Sequence, residues 1–221
     1  QWIKNLLVFV PLITAHAYGS VDNILLAICS FVAFCSVASA GYILNDIMDI
    51  DYDRTHSRKK HRPLASGAVQ VVPAAILILV LLGPTLLVLW QISIEIFLVV
   101  SFYFVLSSTY SIWLKKLLLV DVFTLAILYT LRVIAGAIAI SVPLSFWLLA
   151  FSVFLFLSLA FMKRFVELKG ISQTKASLPG RGYIPGDRDV VLNLGVASDY
   201  VSGMVFALYI NNQADNSIYD Q

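Results

Sequence analysis

Apolar residues run through this chain in stretches near twenty residues long, broken by charge, proline or glycine rather than alternating with polar positions. The breaks place spans near 3–18, 22–44, 68–90, 94–113, 117–140, 143–165 and 190–210, seven in all. As a helix, each can cross about 30 Å of hydrocarbon. Runs such as AAILILVLLG lack the strict in/out alternation of a membrane barrel, which excludes that class. The pattern predicts an all-α, polytopic transmembrane helical bundle forming a single domain over 1–221.

Basic residues then fix an orientation. Lys4 stands at the start, five cations lie from Arg54 to Arg62, Lys115 and Lys116 form a pair, and six cations lie from Lys163 to Arg188. The intervening connections, near 19–22, 91–95 and 140–145, carry Asp22 and Glu95 but neither Lys nor Arg. By the positive-inside rule, the N-terminus and the 45–67, 113–117 and 166–189 loops face the cytoplasm of a multi-pass cell-membrane (inner-membrane) protein.

Composition adds little to this picture. The chain is 60% hydrophobic and 13% charged with a net charge of +2, too small a surplus to argue for nucleic acid. Cys29 and Cys35 lie within one apolar run at a spacing that suits neither a disulfide framework nor a metal site, so they read as packing residues. No methionine or charged leader precedes Gln1, so no signal peptide is expected and the chain reads as truncated at one or both ends. His16 falls near the outer face, and His56 and His61 lie among loop cations, so none reads as a ligand.

Against this background NDIMDIDYD, residues 45–53, gathers four aspartates and an asparagine. On a helix Asn45, Asp46, Asp49 and Asp53 fall within about a 100° arc, and Asp51 points away. Carboxylates so close resist joint ionisation unless a cation sits among them, and oxygen donors without His or Cys suit Mg²⁺. Since Mg²⁺ typically takes one or two carboxylates plus substrate phosphates, the stretch predicts a phosphorylated substrate. The plainer alternative is a solvated juxtamembrane loop. Downstream, RTHSRKKHRPLASG supplies Arg54, Arg58, Lys59, Lys60 and Arg62 for phosphate oxygens, although Lys59 and Lys60 equally suit a head-group anchor. Arg62, beside Pro63 and the turn ending in Gly67, is the better substrate contact.

The spacing of Asn45, Asp46, Asp49 and Asp53 resembles the NDxxDxxxD signature of the UbiA superfamily of intramembrane prenyltransferases. QWIKNLLVFVPL, DRTHSRKKHRPLASG and YSIWLKKLLLVDV extend the resemblance over nearly the whole chain. They are most similar to the decaprenyl-phosphate phosphoribosyltransferase branch. The resemblance implies a UbiA-like fold of nine spans, of which about seven are present. It also implies an Mg²⁺-dependent site open to the cytoplasm and the lipid, with Asp46, Asp49 and Asp53 as the catalytic, metal-holding set and Asn45 among the ligands.

Where most aromatic prenyltransferases of that superfamily carry a second DxxxD motif, this chain has KRFVE: Lys163, Arg164 and Glu167. Exchanging acids for cations leaves less capacity for metal and more for an anion, though a span end with snorkelling Lys and Arg is the competing reading. Asp121 opens the fifth predicted span and Arg132 lies eleven residues on. An Arg that deep costs about 2.5–3.5 kcal/mol, so it must hold a partner, either a substrate oxygen or Asp199. Tyr110 and Lys115 suit a phosphate-binding pair, with Tyr110 equally an interface anchor. In LPGRGYIPGDRD, residues 178–189, the glycines and prolines mark a shaped loop from which Arg181 and Tyr183 close over substrate, or a plain connector.

Two chemistries fit these residues. One moves a phosphoribosyl group from phosphoribosyl pyrophosphate to a polyprenyl phosphate, and the other moves a prenyl group from an allylic diphosphate to an aromatic or other acceptor. Both have pyrophosphate departing. KRFVE favours the first. The rival of another class is a cation-handling transporter, against which stand five cations beside the acids and the lack of paired broken spans. Lipid chain length, acceptor, metal count and oligomeric state are not written in the sequence.

Overall fold

The structure is a computed structural model describing residues 2–55, 59–170 and 180–219, with residues 213–219 described by backbone alone. His56, Arg58 and residues 178–179 of the predicted shaped loop lie outside the described residues. Every regular element among those described is helical: α1 (Val10–Thr14), α2 (Val21–Met48), α3 (Ile50–Thr55), α4 (Val71–Ile92), α5 (Ile94–Ile112), α6 (Val120–Ala139), α7 (Phe146–Lys169) and α8 (Arg188–Tyr219), with short 3-10 turns between them. Six helices among the described residues are long and apolar enough to cross a membrane.

The first predicted span, 3–18, takes another form. Trp2–Phe9 is a 3-10 helix that passes into α1, and the left-handed His16 (φ 51°) ends the segment. A 3-10 helix rises about 2.0 Å per residue against about 1.5 Å for an α-helix, so this short apolar piece reaches further than its residue count suggests. The passage to α geometry comes at Pro11, whose ring fixes φ and which has no N–H to donate.

Two compact units make up the chain, Gln1–Ile112 with Leu131–Val142 and Trp113–Thr130 with Pro143–Gln221. In the first, α2 is the central element and packs against the N-terminal 3-10 helix, α4 and α5. Ser20 caps α2 by accepting from the Asn23 amide at 3.4 Å, and Asp22 complements the positive end of the helix. Its buried face combines small residues, Ala27, Ser30, Ala33, Ala38 and Ala40, with the larger Phe34 and Val37. Elsewhere in this unit Gly136 of α6 meets the N-terminal 3-10 helix, where a Cβ would stand 2.1 Å from the Val8 carbonyl oxygen.

In the second unit α7 and α8 pack side by side. Ser145 caps α7 by accepting from Leu148 N at 3.5 Å. Gly195 of α8 lies directly on Phe161 of α7, where a Cβ would sit 3.1 Å from the ring-bearing Cβ. Outward-facing Leu79, Leu87, Met204 and Tyr200 are largely exposed, which suits a hydrocarbon solvent as apolar as the side chains themselves.

Candidate functional site

The acidic stretch begins inside the last turn of α2. Asp49 is the residue after that helix, and the bonds Asp49 N–H to Asn45 C=O (2.9 Å) and Asp53 N–H to Asp49 C=O (2.8 Å) carry the helical screw on into α3. The one-face reading follows from this continuity. Asp51 points away, with its side chain 99% exposed and 3.5 Å from Arg54, whereas Asp53 is 1% exposed.

Arg62 stands against this face. Its Nη1 donates to Asp46 Oδ1 at 2.7 Å and to Asp53 Oδ2 at 2.8 Å. Lys59 Nζ lies 3.7 Å from Asp53 Oδ1 and 5.1 Å over the Tyr52 ring. Arg54 Nε donates to the Ala65 carbonyl at 3.3 Å, tying α3 to the turn that carries Arg62. The expected substrate cation is thus engaged with the acids themselves.

Whether a metal suits this set can be judged from its atoms. Asp53 Oδ1 is buried without a hydrogen bond among the described residues, an expensive condition for a carboxylate oxygen that a cation ligand would relieve. The available donors are all oxygens, the chemistry of Mg²⁺. Among the described residues no three acidic, His or Cys side chains converge on one point, and a guanidinium bridges Asp46 and Asp53. The residues therefore fit the ion chemically while holding a protein cation in its place.

The second unit holds a different cluster. Asp121, at the start of α6, is fully buried and accepts from Arg164 Nε, from the Tyr183 hydroxyl and, at 3.4 Å, from Arg181 Nη1. Arg164, 0% exposed, also donates through Nη1 to Glu167, and Arg181 Nε lies 3.5 Å from the same carboxylate. Of the KRFVE cations, Arg164 turns inward while Lys163 is exposed.

Sequence reading named Arg181 and Tyr183 without partners, and the structure supplies them. Gly182 passes so near the Leu114–Lys116 turn that a Cβ would meet the Lys116 carbonyl oxygen at 2.4 Å. This approach lets the Tyr183 oxygen accept from Leu119 N–H at 3.2 Å, steadying a residue in the left-handed region (φ 63°) that costs a non-glycine about 1–2 kcal/mol. Burial first, and the bond to the Asp121 carboxylate second, push the Tyr183 phenol far above its ordinary range.

Arg132, 5% exposed on α6, donates from Nε to Asn5 Oδ1 at 2.9 Å and from Nη2 to the Tyr103 hydroxyl at 2.7 Å. Its guanidinium carbon lies 4.8 Å from the Tyr103 ring centroid and 6.0 Å from that of Phe34. Asn5, missed by sequence reading, also donates to Cys35 Sγ at 3.3 Å. The available signal was a polar residue inside an apolar run. Tyr110 lies near the end of α5 and Lys115 in the following 3-10 turn, both half-buried.

A model of the UbiA prenyltransferase family matches residues 6–181. Nodulation protein NoeC of Azorhizobium caulinodans is 35% identical over 213 residues, covering 95% of this chain and 68% of that protein. The decaprenyl-phosphate phosphoribosyltransferase of Mycolicibacterium smegmatis is 33% identical over 182 residues, covering 80% of this chain and 57% of that one. The chain spans from 41% to 68% of the length of the curated relatives it matches along most of its own length. In fold it is similar to a UbiA homolog from Archaeoglobus fulgidus bound to GPP and Mg²⁺, with a TM-score of 0.74, 19% identity, and coverage of 94% of this chain and 73% of that one. An all-helical membrane protein with this acidic helix face and this family match belongs to the UbiA prenyltransferase family.

Proposed function

We propose that the chain carries the core of an Mg²⁺-dependent transferase that moves a phosphoribosyl group from phosphoribosyl pyrophosphate to a polyprenyl phosphate, with loss of pyrophosphate. The observation that carries the reading is the acidic face of α2 and α3, with Asp53 buried and one of its oxygens lacking a hydrogen bond among the described residues. Asn45, Asp46, Asp49 and Asp53 are the residues that would hold the ion. When bound, Mg²⁺ supplies positive charge against the departing pyrophosphate.

The remaining work falls to the chain. Lys59 and Arg62, on the turn facing those acids, add positive charge for diphosphate oxygens. A lipid phosphate oxygen attacks the anomeric carbon, and the bond from that carbon to the pyrophosphate oxygen breaks with its electron pair on the leaving group. The phosphoribosyl choice is supported by Lys163, Arg164 and Glu167 standing at the second acidic motif and by 33% identity to a phosphoribosyltransferase. In the proposed role Lys163 meets the anionic lipid head group, and Tyr110 and Lys115 each offer a phosphate contact. Asp121, Arg164 and Glu167 form a buried charge cluster within their own unit, and Arg132 holds the N-terminal helix through Asn5. The acidic mouth faces the cytoplasm of the cell membrane, following the distribution of Lys and Arg.

The family name also covers prenyl transfer, and one experiment separates the two. Purified protein is given Mg²⁺ with either polyprenyl phosphate and phosphoribosyl pyrophosphate, or polyprenyl diphosphate and an aromatic acid, and pyrophosphate release is followed. Release with the first pair alone supports the proposal. Release with the second alone reassigns the chain to prenyl transfer, and ion flux in liposomes with neither pair turned over revives the transporter.

A further inference from the structure

Arg62 puts one nitrogen, Nη1, between two carboxylates at 2.7 and 2.8 Å. The two acids differ sharply in access. The Asp53 side chain is 1% exposed, whereas those of Asp46 and Arg62 are 30% and 36% exposed. A buried carboxylate is costly unless a cation pairs with it, so Asp53 must have a positive partner in the protein without substrate. Arg62 fills that need with a side chain still open to solvent on one side. Its turn is small, held by Arg62 N–H to Lys59 C=O at 2.9 Å and Ser66 N–H to Arg62 C=O at 2.8 Å.

A divalent ion ligated by Asp46 and Asp53 needs the oxygens that this guanidinium now holds. We infer that Arg62 is a built-in counterion of the acidic face, competing with the divalent ion for Asp46 and Asp53, so that metal entry turns its guanidinium out toward the incoming diphosphate. The inference rests on the metal-holding role proposed above. Its consequence is ordered loading: the protein without substrate binds metal weakly, and metal binding releases the cation that the anionic substrate then takes. Arg62 is on this account a positioning residue, first for the acids and then for the diphosphate.

The test is binding of Mn²⁺ alone, followed by the electron paramagnetic resonance of the free ion, to solubilised full chain without substrate. Arg62→Gln is expected to bind Mn²⁺ about tenfold tighter than wild type, equivalent to about 1.4 kcal/mol. Arg62→Lys, which retains the charge, stays near wild type, and Lys59→Gln, which removes an equal charge from a more distant atom, shifts affinity much less. Equal or weaker binding by Arg62→Gln overturns the inference, as does a Lys59→Gln shift of the same size, which would reduce the effect to general charge. Asp53→Asn judges the underlying metal role separately: if it leaves Mn²⁺ binding intact, that role fails whatever Arg62 does. Should Arg62→Gln not fold, amide exchange in wild type decides the matter. Added Mg²⁺ should speed exchange over residues 59–66 as the turn is released, and unchanged or slower exchange contradicts displacement.

Discussion

Each unit of this chain gathers carboxylates against arginines, yet the two clusters are built to different specifications. In the second unit Asp121 is buried and saturated: Arg164, Arg181 and the Tyr183 hydroxyl all converge on it, and Arg164 has Glu167 on its other side. In the first unit Asp53 is as deeply buried, but one of its oxygens has no hydrogen bond among the described residues, only Lys59 at 3.7 Å, and its arginine is open to solvent. A saturated buried network fixes a structure, because every polar group already has what water would have given it. An unsaturated one beside an exposed cation is prepared for a ligand. The sequence features alone, an acid near several cations, do not separate the two cases.

The sharpest way to break this distinction is to neutralise each buried acid and compare stability. Asp121→Asn takes from Arg164 and Arg181 one of the two carboxylates they share, leaves the fully buried Arg164 with Glu167 alone, and should cost about 3 kcal/mol, the lower end of the range for breaking a buried ion pair. Asp53→Asn leaves Arg62 able to reach water, so its cost should be about 1 kcal/mol or less. Thermal unfolding in detergent measures both, and equal losses would dissolve the contrast. A smaller effect sharpens it. Tyr183→Phe removes the donor to Asp121 and the acceptor for Leu119 N–H, with an expected loss of about 1.5–3 kcal/mol by the same assay.

The smallest effect is in the pH dependence. The Tyr183 phenol is held above its ordinary value of 10.0 in the folded protein, so the unfolded chain loses that proton first. Stability from this group is therefore complete below about pH 10 and is lost as pH rises beyond it. Wild type should lose stability more steeply above that pH than Tyr183→Phe, and parallel curves would remove Tyr183 from the network.

The acidic face was legible in the sequence because its chemistry repeats at helical spacing, and two backbone bonds carry that spacing unbroken through the boundary between α2 and α3. The long helices were legible for the same reason, each being a local property of composition. Partnerships were not. Arg132 and Asn5 are 127 residues apart and Arg164 and Asp121 are 43 apart, so only packing brings them together. Neighbours such as Lys163 and Arg164 project about 100° apart on a helix, so only one turns inward, and nothing local says which. The N-terminal segment is apolar and helical as its composition suggests, but its geometry was not legible: a 3-10 screw runs from Trp2 to Phe9, α1 follows with Pro11 in its first turn, and the left-handed His16 ends it.

The measurement that tests the account most directly is pyrophosphate release from phosphoribosyl pyrophosphate and polyprenyl phosphate across a Mg²⁺ titration, in wild type and in Asp53→Asn. The account predicts Mg²⁺-dependent release by wild type and a fall of about 10²-fold or more in the variant, with the fold retained. Release by Asp53→Asn at the wild-type rate and with the same Mg²⁺ dependence would contradict it.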